Sequence, residues 1–444
     1  MPNGLLTDLY ELNMAASYLR RGMVGEGTFS LYVRGLPPQR GFLVAAGLQS
    51  CLDFLESVSF SDEDLGFLGS IGFDDRALED FAALRFDGEV WAVPEGTVVH
   101  GGEPILEVTA PIAAAQLVET ALLNQITLHT TVASKAARYV LAAEGRDLVD
   151  FAFRRTHGVE AAMAVARDSA IVGFVATSNV EAARRLGLRA AGTMAHSFVE
   201  AFPTEEEAFS AFARDHPNRT TFLVDTYDTV NGVRTAIRVA KELGIHEGVG
   251  VRLDSGDLDH LAREARALLD GAGLTAARIF ASGGLDEHQV AALVRGGAPV
   301  DAFGIGTQLG VSADAPFVDT VYKLVDYEGR PVMKLSTAKV TAPGCKQVWR
   351  GSSEDVLGLR DEPGPSGGEP LLVPVMRSGK RLQADPTIEQ MRERFVADLE
   401  RTPPEARRLI DPERVAVTHS AALQELTRLV RGEAEDKAGI DGPA

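Results

Sequence analysis

A chain of 444 residues, 45% of them apolar, is too long for one ordinary core and predicts at least two domains of α/β or α+β type. Its formal net charge of −19 argues against nucleic acid or an anionic membrane as partner, since both need a basic surface, yet leaves room for a small anionic substrate held by local N–H groups, arginines and magnesium. No run approaches the roughly 18 to 20 apolar residues of a membrane span, the amino terminus lacks a secretory pattern, and Cys51 and Cys345 stand far apart without zinc spacing, so a cytoplasmic protein with no disulfide and no structural metal is expected.

Taken in order, Leu5, Leu9, Leu12, Ala16 and Leu19 fall at helical spacing, with Thr7 as cap and Gly22 as stop, and this first amphipathic helix carries Tyr10. Phe29, Leu31 and Val33 alternate with polar residues as a half-buried strand, and two or three helical patterns follow before Phe86. Between 89 and 109, β-type runs separated by Pro94, Gly96, Gly101-Gly102 and Pro104 predict a small all-β insert. Pro111 opens a long helical pattern, to about Ala143, that joins two domains.

Strand-like runs then begin near Leu148, Ile171, Leu188, Thr221, Val249, Ala276 and Val300, alternating with helical patterns at 158–168, 230–243 and 258–269. Such alternation predicts parallel β/α units, and this number of strands in a short span fits a compact, irregular barrel better than an open sheet. After Thr307, runs at 321–326 and 332–335 flank Glu328-Gly329-Arg330 as a hairpin. A Gly/Pro/acid-rich linker at 351–370, a short hairpin around Ser378-Gly379-Lys380 and two helical patterns follow, and the last ten or so residues are expected to be disordered.

The stretch at 249–258, VGVRLDSGDL, organises the candidate chemistry: a buried strand breaks at Asp254-Ser255-Gly256-Asp257, leaving Arg252 and Asp254 on one face at its carboxyl end. Ligands of α/β sheets and barrels bind at that end. Asp225 and Asp228 add carboxylates able to take ribose hydroxyls or Mg²⁺. The glycines of Ser282-Gly283-Gly284 and Gly304-Ile305-Gly306-Thr307 stand where strands give way to loops, so their N–H groups can approach an anion, and together they predict a phosphate site. Arg154-Arg155 alone reads as a solvated basic turn, Thr177-Ser178-Asn179 as an N-cap, and His196, near the first turn of a helix, as structural on spacing alone. The residues by themselves imply a phosphorylated sugar substrate but no particular reaction.

Nine strings in order resemble the nicotinate phosphoribosyltransferase family of type II phosphoribosyltransferases: TDLYELNM from Thr7, Phe153-Arg154-Arg155, TSNV from Thr177, GTMAHSF from Gly192, VDTYDT from Val224, VRLDSGDL from Val251, SGGLDE from Ser282, FGIGT from Phe303 and KVTAPGCKQVWR from Lys339. The resemblance implies that nicotinate and 5-phosphoribosyl 1-pyrophosphate give nicotinate mononucleotide and pyrophosphate, coupled to ATP hydrolysis. It also implies an α/β fold, an irregular β/α barrel at 126–320 beside an α+β domain formed by both chain ends, 1–125 and 321–444, and a homodimer with shared active sites. The family's phosphorylated histidine falls on His196, where a neutral imidazole can attack the γ-phosphate of ATP.

By the same resemblance, Phe151 and Tyr10 of the neighbouring subunit sandwich the pyridine ring, while Arg252 and Thr193 face its carboxylate. Arg154, Gly284, Gly306 and Thr307 hold phosphates and Asp254 the ribose hydroxyls, Asp225, Ser282 and Gly283 complete the substrate-binding set, and Mg²⁺ enters with the pyrophosphate substrate. Ser178 aligns with an aspartate in the nicotinamide-using relative; serine can donate to a carboxylate that an aspartate would repel, which favours nicotinate. Nicotinamide and quinolinate phosphoribosyltransferase, and a nonenzymatic nucleotide-binding barrel, stay open as alternatives.

Overall fold

The computed structural model describes residues 2–335, 341–351 and 354–438. The chain divides into two compact units, one made of Met1–Thr131 with Phe317–Ala444 and the other of Val132–Pro316. Among the described residues no helix is long and apolar enough to cross a membrane.

The first unit begins with α1 (Leu9–Arg20), whose cap is Asp8 rather than Thr7: Asp8 and Glu11 form a capping box, and the Thr7 hydroxyl instead donates to Leu117 O at 2.9 Å. Strand β1 (Glu26–Val33) is buried along nearly its whole length, not on one face alone, and it lies inside its sheet with a paired neighbour on each edge. Next come β2 (Leu43–Val44), α2 (Leu48–Ser57), α3 (Asp62–Ser70) and α4 (Asp75–Ala83), then β3 (Glu89–Ala92), β4 (Val98–Val99) and β5 (Pro104–Pro111). The long helical pattern breaks once, at Val118, into α5 (Ile112–Leu117) and α6 (Glu119–Ala143).

The second unit is a run of parallel strands. These are β6 (Asp147–Asp150), α7 (Val159–Val172), β7 (Ala176–Thr177), α8 (Val180–Leu186), α9 (His196–Glu200), α10 (Glu205–Asp215), β8 (Thr220–Leu223), α11 (Thr229–Glu242), β9 (Val249–Leu253), α12 (Leu258–Gly271), β10 (Arg278–Ala281), α13 (Glu287–Arg295), β11 (Ala302–Ile305) and α14 (Thr307–Gly310). The sheet order is β7-β6-β11-β10-β9-β8, and Ala190 adds one parallel bridge beyond β7 at Thr177. Neighbours in space therefore follow the chain, and β11 returns to pair with β6, which is the connectivity of a barrel. Among the described residues no pairing joins Ala190 to β8, so the barrel is curled but open there.

Two expected strands differ. Ile171 lies in the last turn of α7, whose buried Ala170-Ile171-Val172 run continues the helix until Gly173 ends it at φ +121°, and the strand is only Ala176–Thr177. The run near Leu188 makes the single bridge at Ala190. The remaining barrel strands are short apolar runs whose Phe222, Val251, Ile279 and Phe303 are fully buried, each worth about 1.5–3 kcal/mol on removal from water.

The chain then returns to the first unit through β12 (Thr320–Tyr327), β13 (Arg330–Pro331), β14 (Lys346–Arg350), β15 (Asp355–Leu359), β16 (Glu369–Pro370), β17 (Val373–Arg377), β18 (Lys380–Arg381), α15 (Ile388–Arg401), β19 (Val417–His419) and α16 (Ala421–Ala438). Tyr327 pairs with Arg330 across Glu328-Gly329, both at positive φ, so the hairpin is a two-residue turn and its return strand stops before 332–335. The expected linker holds β15 and β16 of a four-stranded sheet, β16-β14-β15-β19. The larger sheet, β13-β12-β1-β5-β3-β17-β18, draws strands from both chain ends, and the runs read as an all-β insert supply β3 and β5 near its centre. Helix α16 runs to 438, past the start of the tail expected to be disordered; the tail's last six residues lie outside the described residues, as do Lys339 and Val340 of the last family string.

Candidate active site

The barrel places its polar residues where strands end. At the end of β9, Arg252 Nε donates to Ser282 Oγ at 2.8 Å, one terminal nitrogen to Thr193 Oγ1 at 3.1 Å and the other to Asp254 Oδ1 at 2.6 Å. Its guanidinium carbon stands 5.3 Å from the centre of the Phe151 ring, a cation–π contact. Ser282 donates to Asp254 as well, so one arginine is tied to loops following β9 and β10 and to the stretch preceding α9. Burial pushes the Asp254 carboxyl up, but the Ser282 hydroxyl and the Arg252 guanidinium, with His196 beyond them, outweigh it and hold the group below the usual range.

His196 is the first residue of α9. Its Nδ1 shares a hydrogen bond with Thr226 Oγ1 at 3.2 Å, and its Nε2 lies 3.9 Å from Asp254 Oδ2. The side chain is 41% exposed, so a ligand can reach it. Asp225 accepts from the Asp254 N–H at 3.2 Å and from Ser255 Oγ at 2.6 Å through one oxygen, while its other oxygen is buried with no hydrogen-bond partner.

Phe151 is set by its neighbours. Its N–H donates to Ile305 O at 2.7 Å, and its ring tilts against Phe280 at 5.6 Å. Gly304 is required here, because a Cβ would stand 2.8 Å from both rings. The buried Asp150 beneath accepts from Thr177 Oγ1 at 2.6 Å and the Ala152 N–H at 2.8 Å, and its own carbonyl accepts from Ser178 N–H at 2.8 Å. Burial raises the Asp150 carboxyl against those two donors.

A cavity of about 530 Å³ opens over this network. It is lined by Phe151, Arg154, Ser178, Thr193, His196, Arg252 and Asp254 of the expected set, by Phe153 and Met194, which lie in the family strings but were given no role, and by Leu223. Ser282 joins through its hydrogen bonds. Gly283, Gly284, Gly306 and Thr307 occupy the expected strand ends but do not line this cavity, and Tyr10, 46% exposed, belongs to the first unit. Asp228, read as a further carboxylate of the site, caps α11 by accepting from Asn231 N–H, and Asp257 caps α12 by accepting from His260 N–H.

A pocket that combines an aromatic ring, an arginine beside it and an accessible histidine agrees with what the whole chain resembles. It matches the models for the nicotinate phosphoribosyltransferase N-terminal domain over residues 5–127, the family itself over 147–356 and its C-terminal domain over 346–427. The chain belongs to the nicotinate phosphoribosyltransferase family. It is 50% identical over 415 residues, 92% of this chain and 89% of the other, to the Mycobacterium tuberculosis protein named nicotinate phosphoribosyltransferase pncB2. The crystal structure of human nicotinic acid phosphoribosyltransferase superposes with a TM-score of 0.85 at 29% identity, covering 96% of this chain and 99% of that one. A Pyrococcus furiosus structure described as nicotinate-nucleotide pyrophosphorylase superposes at 0.74 with 26% identity, over 90% of this chain and 95% of that one.

Thr226, Asp150 and Phe280 are the supporting residues that sequence reasoning missed. Thr226 sits inside the family string VDTYDT, next to Asp225, and that position was the available signal. Nothing in the spacing of the sequence marks Phe280 as the ring beside Phe151, because the two approach across parallel strands.

Proposed function

We propose that this chain is an ATP-coupled nicotinate phosphoribosyltransferase, converting nicotinate and 5-phosphoribosyl 1-pyrophosphate to nicotinate mononucleotide and pyrophosphate, the first step of NAD salvage from nicotinate. The observation that carries the reading is the setting of Arg252. Three of its five N–H groups are engaged by Ser282, Thr193 and Asp254, which fixes the guanidinium plane beside the Phe151 ring and leaves two donors for a planar aromatic carboxylate. With the pyridine on Phe151, the ring nitrogen attacks the anomeric carbon of the sugar as pyrophosphate departs; positioning supplies most of the rate. Asp254 takes the ribose hydroxyls, Arg154 and the glycine loops take phosphates, and Tyr10 of the neighbouring subunit in a homodimer covers the other ring face.

Mg²⁺ would enter with the pyrophosphate. Magnesium is commonly held by one or two carboxylates together with substrate phosphate oxygens, and the partnerless buried oxygen of Asp225 fits that donor set. Held there, Mg²⁺ would supply charge neutralisation for the departing pyrophosphate. His196 attacks the γ-phosphate of ATP, ADP leaves, and later hydrolysis of the phosphohistidine drives an otherwise poor equilibrium forward. A second pyridine carboxylate, as in quinolinate, would need more cations than Arg154 and Arg252 bring to this cavity.

Pyrophosphate release with each base, with and without ATP, tests this. ATP should stimulate turnover of nicotinate, and His196→Ala should keep slow basal turnover while losing the stimulation. No release with either base would sink the transferase reading, and stimulation that survives in the variant would sink the phosphohistidine. Ser178→Asp should lower kcat/KM for nicotinate about tenfold, ~1.4 kcal/mol, with nicotinamide unaffected or improved. An unchanged nicotinate value would remove Ser178 from acid-versus-amide selection.

A further inference from the structure

Four charged side chains, three of them buried, lie apart from the cavity. On α6, Lys135 Nζ is 2.6 Å from Glu287 Oε2 and 2.9 Å from Asp314 Oδ1, while Arg138 Nε is 2.7 Å from Glu287 Oε1 and 3.9 Å from Asp314 Oδ2. The side chains of Lys135 and Glu287 are each 1% exposed. Burial raises the Glu287 carboxyl, but Lys135 and then Arg138 outweigh it and hold the group below its usual range. One turn further, Tyr139 donates its hydroxyl to Leu285 O at 3.1 Å, and the Lys135 ammonium lies 5.4 Å from the Tyr139 ring centre. Residues 135, 138 and 139 share one helix face.

The two acids sit on different loops. Glu287 opens α13 directly after Ser282-Gly283-Gly284, and Leu285 is part of the same loop. Asp314 follows α14, and the chain between them is tied back to it by Val311 N–H to Thr307 O and Ala313 N–H to Gln308 O. A single helix face thus grips the glycine loop after β10 and the segment that continues the glycine loop after β11. An apolar cluster of similar volume often packs such a place without loss of stability, so stability alone does not call for these charges. What the charges add is a fixed geometry between two loops.

We propose that Lys135 and Arg138 are positioning residues for the phosphate site, setting the separation of the two glycine loops through Glu287 and Asp314. This rests on the reading above that those loops hold substrate phosphates. It assigns these residues an effect on the donor and not on the base.

The test measures pyrophosphate and nicotinate binding by titration calorimetry, and steady-state KM for both substrates, in wild type, Lys135→Met and Lys135→Arg, with thermal melting to confirm folding. Lys135→Met should weaken pyrophosphate binding and raise the donor KM about tenfold, with kcat and the nicotinate KM within about twofold and the loss largely restored in Lys135→Arg. If Lys135→Met does not fold, Asp314→Asn is read in its place, since that group is 16% exposed and its loss frees one loop only. A folded variant with unchanged pyrophosphate affinity overturns the inference alone, as does a parallel loss in both substrates and kcat. A wild type that binds no pyrophosphate overturns the functional reading, and the inference with it.

Discussion

Arg252→Ala is expected to lower kcat/KM for nicotinate about a thousandfold, ~4 kcal/mol of transition-state stabilisation. The side chain does two jobs that alanine cannot. It presents the remaining N–H groups to the substrate carboxylate, and it satisfies Thr193, Ser282 and Asp254 around it. Removing one partner of a hydrogen-bonded charge pair leaves the other uncompensated, and the loss there exceeds that of a single neutral hydrogen bond. Arg252→Lys separates the two jobs: an ammonium keeps the charge near Asp254 but lacks the planar fork, so most of the loss should persist. If the lysine variant keeps the wild-type nicotinate KM, the fork is not what reads the carboxylate.

The same substitution has a pH signature whose sign follows from Asp254. Burial raises its carboxyl while Ser282, Arg252 and His196 lower it, with a net depression. A depressed acid contributes stability that is present above its unfolded pKa and lost as pH falls through its folded one. Taking Arg252 away moves the folded value upward, so in Arg252→Ala the acid limb of both activity and stability should begin at higher pH than in wild type. Acid titration of melting temperature for the two proteins shows this directly.

Much of this arrangement was legible because it is local. The stretch 249–258 reads as strand, break and cap, and Arg252 and Asp254 do meet at its end. Asn179 and Asp286 are caps for the same reason: the side chain that satisfies an N-terminal N–H is only three residues away. That locality also misled. Asp228 reads as one more carboxylate for ribose hydroxyls or Mg²⁺ beside Asp225, yet it has the capping geometry and is used by its own helix.

What stayed hidden depends on distant partners. Ile171 and Val172 are β-branched and read as strand, but burial against the rest of the barrel decides that they complete α7. The Gly- and Pro-rich span at 351–370 reads as linker by composition, whereas Asp355–Leu359 gains its strand state from antiparallel pairing with Lys346–Arg350 and parallel pairing with Val417–His419. The charged quartet joins Lys135 and Arg138 of one helix face to Glu287 and Asp314, and no spacing rule relates that face to either acid.

Gly283→Ala should be damaging out of proportion to its single methyl group. The residue sits at φ +104°, which L side chains rarely adopt, and its Cβ would stand 1.9 Å from the carbonyl oxygen of Asp254 and 2.8 Å from that carbonyl carbon. The obstacle is backbone, so no rotamer change relieves it. Either the loop after β10 lifts, breaking the Ser282 N–H bond to Leu253 O at 2.9 Å, or the chain at Asp254 shifts and takes its contacts with Arg252 and Ser282 along. A loss of about 3 kcal/mol or more in unfolding free energy is expected, with kcat/KM down at least about a hundredfold. Gly297→Ala supplies the comparison: at φ +70° with nothing within 4 Å of the added carbon, it carries backbone strain alone, about 1 kcal/mol, and should leave kcat/KM unchanged. Urea unfolding and turnover of the two variants side by side separate strain from steric conflict. Equal losses in both would mean that the close approach of the Ser282-Gly283-Gly284 loop to Asp254 is not what shapes the site.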